Sequence, residues 1–223
     1  MSRTFHTAGA GRQFWWWGGA ALALLAFIRI TRELMEGDVD AMDKAFLLSV
    51  ARCRTPRLTI AAIDISALGS VTLVVLFSAL ALLLLLVLRD RMGALQLFAS
   101  SAGAGILTVI TKDIMERIRP VEVQQLVVAF GFSYPSGHSV SASALYLTIA
   151  IIVSRYLRRP ALNFVLFASA SAILILVAAS RVYLGVHYAT DVISGILLGA
   201  AWALLLAGLF ARRGRPAGHP PIR

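Results

Sequence analysis

Long apolar runs, each broken by a short polar patch, set the pattern of this chain. Six of them approach the about 20 residues needed to cross a hydrocarbon core. They lie at Phe14–Ile30, Ser66–Leu88, Met92–Ile110, Gly137–Val153, Ala161–Ala179 and Tyr188–Phe210. The pattern predicts an all-α integral membrane protein, a bundle of six transmembrane helices. Residues 31–65 between the first two runs are more polar, yet Val39, Met42, Phe46 and Val50 recur at three- and four-residue spacing. That periodicity predicts a short amphipathic helix, lying on the membrane surface or covering the bundle from the aqueous side. Pro56 ends this helical stretch or lies beyond its end.

Composition agrees with membrane burial. The 223 residues are 59% hydrophobic and only 14% charged, and the mean hydropathy is +0.81. No polar stretch is long enough to fold separately, so residues 1–211 read as one domain. Residues 212–223, rich in Pro, Gly and Arg, read as a disordered basic tail. The net charge of +10 raises the question of nucleic acid. Its arginines sit at the ends of hydrophobic segments instead of forming a stripe, which excludes that class on pattern. Cys53 is the only cysteine, so there is no intramolecular disulfide and no cysteine-rich metal site. Arg3 and Arg12 before an apolar run suggest a signal peptide. Trp15, Trp16 and Trp17 and the lack of a small-residue cleavage site favour a retained first helix.

Six spans put both termini on one side, together with the turns Arg89-Asp90-Arg91 and Arg155–Pro160. Arg3, Arg12, Arg89, Arg91, Arg155, Arg158, Arg159, Arg212, Arg213, Arg215 and Arg223 then share that side, which marks it as the cytoplasmic face of a cell (inner) membrane. Three polar stretches emerge on the opposite, extracytoplasmic face. They are Lys112-x6-Arg119-Pro120, Pro135-Ser136-Gly137-His138 and Ser180-Arg181-x5-His187-x3-Asp191. Intramembrane and juxtamembrane charges are functional candidates by default.

Each stretch has its own chemistry. Lys112 and Arg119 lie two helical turns apart if the helix continues, so an anion between them relieves their repulsion, and Pro120 ends the helix. Snorkelling cations before a proline stop are the bland alternative, with Glu116 and Arg117 as solvated or paired neighbours. Ser136 is positioned to cap the following helix, Gly137 lets a ligand approach the backbone, and the helix N-terminus favours an anion. His138 can give a proton to a leaving oxygen. A carboxylate at Asp191 can hold one nitrogen of His187 and leave the other to attack. Arg181 adds a forked donor, and Ser180 can orient a neighbour. Tyr183 and Tyr188 read as interfacial anchors. Losing one preorganised donor costs about 3 kcal/mol, so three cations supply about 9 kcal/mol, roughly a millionfold in rate. Cations alone make a phosphate binder; the two histidines argue for an enzyme.

The ordered trio resembles the motifs of the type 2 phosphatidic acid phosphatase family, which includes vanadium haloperoxidases and glucose-6-phosphatases. Every fixed position of the family pattern is matched between Lys112 and Asp191. The resemblance implies His187 as a nucleophile that becomes phosphohistidine, Asp191 as its orienting carboxylate, and His138 as the acid that later activates water. It implies Lys112, Arg119, Ser136, Gly137 and Arg181 as phosphate ligands. It also implies chemistry without a metal or other cofactor, on a lipid phosphate or polyprenyl diphosphate drawn from the surrounding membrane lipids. A phosphotransferase that passes the phosphoryl group to an alcohol shares every motif. An anion transporter is the reading from another class, against which all motif residues cluster on one face.

Overall fold

The computed structural model describes residues 7–157 and 159–211, with side chains from Gln13 onward; the expected tail and Arg158 lie outside them. Eight helices, and no strand among the described residues, follow one another: α1 (Thr7–Glu36), α2 (Asp40–Arg52), α3 (Pro56–Ala67), α4 (Val71–Val87), α5 (Arg91–Met115), α6 (Gly137–Ser154), α7 (Pro160–Tyr183) and α8 (Ala189–Phe210). Five of them, α1 and α5–α8, are long and apolar enough to cross a membrane. The second apolar run, Ser66–Leu88, holds the end of α3 and all of α4; these two helices meet at 44°, and together they are long and apolar enough for a sixth, bent span that begins ten residues earlier, at Pro56. Their outward side chains, among them Val71, Val75, Leu80, Leu83 and Val87, are exposed and apolar, as a hydrocarbon-facing surface requires.

Local chemistry explains the boundaries. Pro56 lies beyond the end of α2, and it also opens α3, where its missing N–H costs nothing; Thr55 accepts from Leu58 N–H as the cap. Ser70 caps α4 and Asp90 caps α5 in the same way. The buried stripe of α2 differs from the expected one. Val39, Asp43 and Leu47 face inward while Met42 and Phe46 are exposed. An aspartate occupies the stripe because partners on other elements satisfy its carboxylate.

The centre of the bundle is α8. It packs along α1 on one side and against α6 on the other, and α6 in turn touches α5 and α7. Glycine sets the α6–α8 distance. A Cβ on Gly195 would lie 2.7 Å from Ser136 O and 2.8 Å from the Ser139 Cβ, and one on Gly199 would lie 2.7 Å from the Ser143 Cβ. Small residues four apart on both helices let the backbones touch, the arrangement that dispersion favours where no hydrophobic force acts between helices. This contact brings the start of α6 against the start of α8, and Ser136 N–H donates to Asp191 O at 3.0 Å.

Candidate active site

The site forms where α5 and α7 end and α6 and α8 begin, so all three polar stretches meet at one end of the bundle. The first does so by a route that helix periodicity does not give. Helix α5 stops at Met115, with Glu116 left-handed at φ 43° and its N–H on Lys112 O. Lys112 is therefore in the last helical turn and Arg119 is in coil, because the helix ends at Met115, five residues before the Pro120 expected to end it. The expected shared helix face does not exist. The two cations converge because the coil from Arg117 to Ser136 folds back over the helix ends.

Hydrogen bonds hold that coil. Ser133 N–H donates to Arg117 O at 2.7 Å, and Leu126 N–H to Leu184 O at 2.9 Å. Tyr134 is fully buried, stacks on Phe27 and bonds Thr31 through its hydroxyl at 2.7 Å. Arg119 donates to the carbonyls of Gly131, Phe130 and Val186 at 2.8–3.0 Å. Lys112 Nζ donates to Phe132 O.

His187 lies in the turn between α7 and α8, with Asp191 in the first turn of α8. Their contact spans a helix start instead of running along one helix face: His187 Nδ1 is 3.4 Å from Asp191 Oδ2. Asp191 Oδ2 also accepts from Tyr188 N–H at 2.8 Å and from Ser133 Oγ at 2.5 Å. The other ring nitrogen, Nε2, faces Arg119 Nη1 at 3.2 Å. Burial lowers the His187 pKa to about 4, with Asp191 opposing and Arg119 and Arg181 adding to the fall. The ring is consequently neutral at neutral pH. Its Nδ1–H points at the carboxylate, and Nε2 keeps its lone pair.

Around Nε2 stand the remaining predicted residues. His138, in the first turn of α6, is near enough to Arg181, Arg119 and Lys112 to feel their charges. Arg181 ends α7 and donates through Nη1 to Ser66 at 2.7 Å, while its buried Nε has no partner. Ser136 occupies the N-cap position but its side chain caps nothing, contrary to expectation; its buried Oγ is also unpartnered. Gly137 is the first residue of α6, and a Cβ there would make only an ordinary 3.4 Å contact with Thr108. Packing therefore does not demand glycine at 137. Ser180 is turned away, donating to Val177 O at 2.7 Å. Three mutually repelling cations, one of them with an unpartnered buried Nε, form a site that an anion with several oxygens satisfies.

Sequence reasoning missed three contributors. Ser133 was unmarked, two residues before the second motif. Arg117 is paired, as one expectation held, but its partner is the motif carboxylate: Nη1 lies 2.6 Å from Asp191 Oδ1 and Nη2 lies 2.8 Å from Asp43 Oδ2. Burial opposes its charge, yet Asp191 and Asp43 outweigh this and raise its pKa. Asp43 lies on α2, outside every motif. The available signal was an acidic residue on the otherwise apolar face of that helix. The tyrosines do more than anchor. Tyr188 lies under the Arg117 guanidinium at 4.3 Å and donates to Glu122 at 2.8 Å, and Tyr183 bonds Thr55 N–H at 2.9 Å.

An apolar helical bundle that gathers cations, two histidines and a carboxylate at one end defines a membrane protein whose site suits an anion. The chain belongs to the PAP2 superfamily, whose model matches residues 93–215. It is 40% identical over 106 residues to phosphatidylglycerophosphatase B of Bacillus subtilis, covering 46% of this chain and 51% of that protein. It is 31% identical over 130 residues to an undecaprenyl-diphosphatase of Sulfolobus acidocaldarius, covering 56% and 58%. Lipid A 1-phosphatase of Rhizobium johnstonii is 32% identical over 128 residues, covering 53% and 48%. The chain thus spans about half the length of the curated relatives it matches. The crystal structure of a transmembrane PAP2-type phosphatidylglycerolphosphate phosphatase from Bacillus subtilis superposes with a TM-score of 0.81 at 28% identity, covering 88% of this chain and 98% of that one.

Proposed function

We propose that this protein is a membrane lipid phosphatase that removes a terminal phosphate from a lipid monophosphate or polyprenyl diphosphate without a metal. The observation that carries the reading is His187. It is a buried, neutral imidazole whose Nδ1 side is tied to Asp191 and whose Nε2 faces Arg119 among the cations. Nε2 attacks phosphorus, and the bond from phosphorus to the lipid oxygen breaks. His138 gives its proton to that oxygen, and the phosphoryl group remains on His187. Water then gives a proton to His138 and attacks phosphorus; the N–P bond breaks, and inorganic phosphate and neutral His187 are restored. Asp191 stabilises the positive imidazole in between. Lys112, Arg119, Arg181, Ser136 Oγ and Gly137 N–H hold the phosphoryl oxygens.

In the membrane, α3 and α4 form one bent span among six, α2 lies at the interface, both termini are cytoplasmic and the site is extracytoplasmic. The short-loop arginines support this orientation. Residues 1–211 form one domain. The named relatives supply the substrate panel: phosphatidylglycerophosphate, lipid A 1-phosphate and undecaprenyl diphosphate, with phosphatidic acid added. The test is phosphate release from that panel by detergent-purified protein with a chelator present. Turnover abolished in His187→Ala and inhibited by vanadate is the expected result. Equal turnover in His187→Ala, or no release from any lipid, refutes the mechanism.

A further inference from the structure

Two fully buried carboxylates on different elements share one guanidinium beside the nucleophile. Asp43 on α2 and Asp191 on α8 have no side-chain exposure, and Arg117 between them is 11% exposed. The bridge is forked. Arg117 Nη1 donates to Asp191 Oδ1 at 2.6 Å and to Thr190 Oγ1 at 2.8 Å, and Nη2 donates to Asp43 Oδ2 at 2.8 Å. Asp43 closes the ring: it accepts from Thr190 N–H at 3.1 Å through Oδ1 and from the Thr190 hydroxyl through Oδ2. That N–H is one of the orphan donors in the first turn of α8, so Asp43 caps from another helix the turn that carries Asp191. The Tyr188 ring supports the guanidinium from below, and Asp40 approaches its outer edge at 3.4 Å.

We infer that Arg117, held by Asp43 of α2, is a positioning residue for the Asp191–His187 pair, so that α2 is part of the catalytic unit. Asp191 must stay ionised and aimed at His187 Nδ1 for Nε2 to attack. Of its two oxygens, Oδ2 faces His187 and Oδ1 is fixed by Arg117. Without the guanidinium, two buried negative charges face each other with no cation bridging them. One of them then takes up a proton or the α2–α8 contact opens, and either outcome releases the aim of Asp191. Arg117 Nη1 and Nη2 donate to Asp191, Thr190, Asp43 and Asp40, while the contact to His187 Nε2 is made by Arg119. It therefore acts through Asp191 and not on the phosphate. A cavity of about 360 Å³ lined by Asp40, Lys44, Arg117, Arg119, Glu122 and Tyr188 reaches it. A small cation can enter there.

The inference rests on the phosphatase reading, and the experiment separates the two. Native protein, His187→Ala, Arg117→Ala, Arg117→Lys, Asp43→Asn and the Asp43→Asn/Arg117→Ala double variant are purified in detergent. Each is assayed for kcat, KM and vanadate inhibition on one lipid phosphate. In Arg117→Ala, kcat is expected to fall about 100-fold, with KM and the vanadate inhibition constant within about threefold of native. Ethylguanidinium in the buffer restores turnover at least about tenfold in Arg117→Ala and not in His187→Ala. Asp43→Asn lowers kcat about tenfold, and the double variant is no slower than Arg117→Ala, the non-additivity of one linked unit. Arg117→Lys, a single charge that cannot bridge both carboxylates, is intermediate. Should Arg117→Ala not be recovered folded, Asp43→Asn and Arg117→Lys carry the same comparison. Native kcat in these variants, additive losses, or vanadate affinity falling in parallel with kcat overturns the inference while the phosphatase reading stands. No turnover by native protein overturns both.

Discussion

The Gly195–Gly199 contact makes a quantitative claim about how packing sets the site. Gly195→Ala adds one Cβ that meets Ser136 O at 2.7 Å and the Ser139 Cβ at 2.8 Å, where ordinary contact begins at 3.4 Å. Neither obstacle is a flexible side-chain tip, so α6 and α8 must part by about 0.6–0.7 Å. Overpacking of this kind costs about 1–3 kcal/mol. The displacement falls where Ser136 N–H meets Asp191 O, the link between the helix starts that carry His138 and Asp191. Misplacement by about 1 Å can cost about 100-fold in rate, so a shift of this size is expected to lower kcat about tenfold or more. The assay is a thermal melt in detergent beside turnover on a lipid phosphate. The melting temperature is expected to fall by about 2–10 °C. Gly105→Ala is the control: its Cβ would meet no atom within 4 Å. Alanine is the better helix former by about 1 kcal/mol, so this variant melts at or above the native temperature with native turnover. Gly195→Ala with native melting and native kcat would refute the claim that close approach of α6 and α8 builds the site.

Three further outcomes are expected. His187 has a folded pKa of about 4, below its ordinary 6.5, so the unfolded chain binds the extra proton between those values. Its contribution is fully present above pH 6.5 and is lost as pH falls towards 4, up to about 3 kcal/mol; His187→Gln should flatten that part of the stability–pH curve, and an unchanged slope would contradict the burial account. Ser133→Ala removes one of the donors to Asp191 and leaves Tyr188 N–H, Arg117 and His187 in place. A fall of about 10–100-fold in kcat with unchanged vanadate inhibition is expected, and native turnover would remove Ser133 from the positioning set. Cys53 is exposed, so an impermeant thiol reagent should label it from outside intact cells; labelling from the cytoplasmic side alone would reverse the proposed orientation.

Hydropathy located the spans well because a membrane helix must satisfy its backbone internally and present apolar side chains, both local demands. It missed α3, Pro56–Ala67, which joins α4 at a 44° bend ahead of the expected start at Ser66. Helix periodicity, continued to Pro120, failed at Met115, where Glu116 turns left-handed and takes Arg119 off the helix. The sequence of α2 marked Val39, Met42, Phe46 and Val50 as its apolar face, towards the membrane surface or the bundle. The structure buries Val39 with Asp43 and Leu47 and leaves Met42 and Phe46 exposed, since Arg117 and Thr190 supply hydrogen bonds to Asp43 from 74 and 147 residues away along the chain. No periodicity encodes a distant partner.

The sequence by itself determined the membrane class, the apolar centres of the long helices, and the candidate inventory of His138, His187, Asp191 and the cations. These follow from local composition and from side-chain types whose chemistry does not depend on neighbours. Only the tertiary structure decided which nitrogen of His187 is held and which faces the cations, because that depends on the turn before α8. It alone separated Ser136, whose buried hydroxyl stays unpaired, from Ser180, whose hydroxyl is used by its own helix. It alone brought Asp43 and Arg117 to Asp191. A buried carboxylate is tolerated only where a cation and donors meet it, and helix packing, not sequence spacing, creates that meeting.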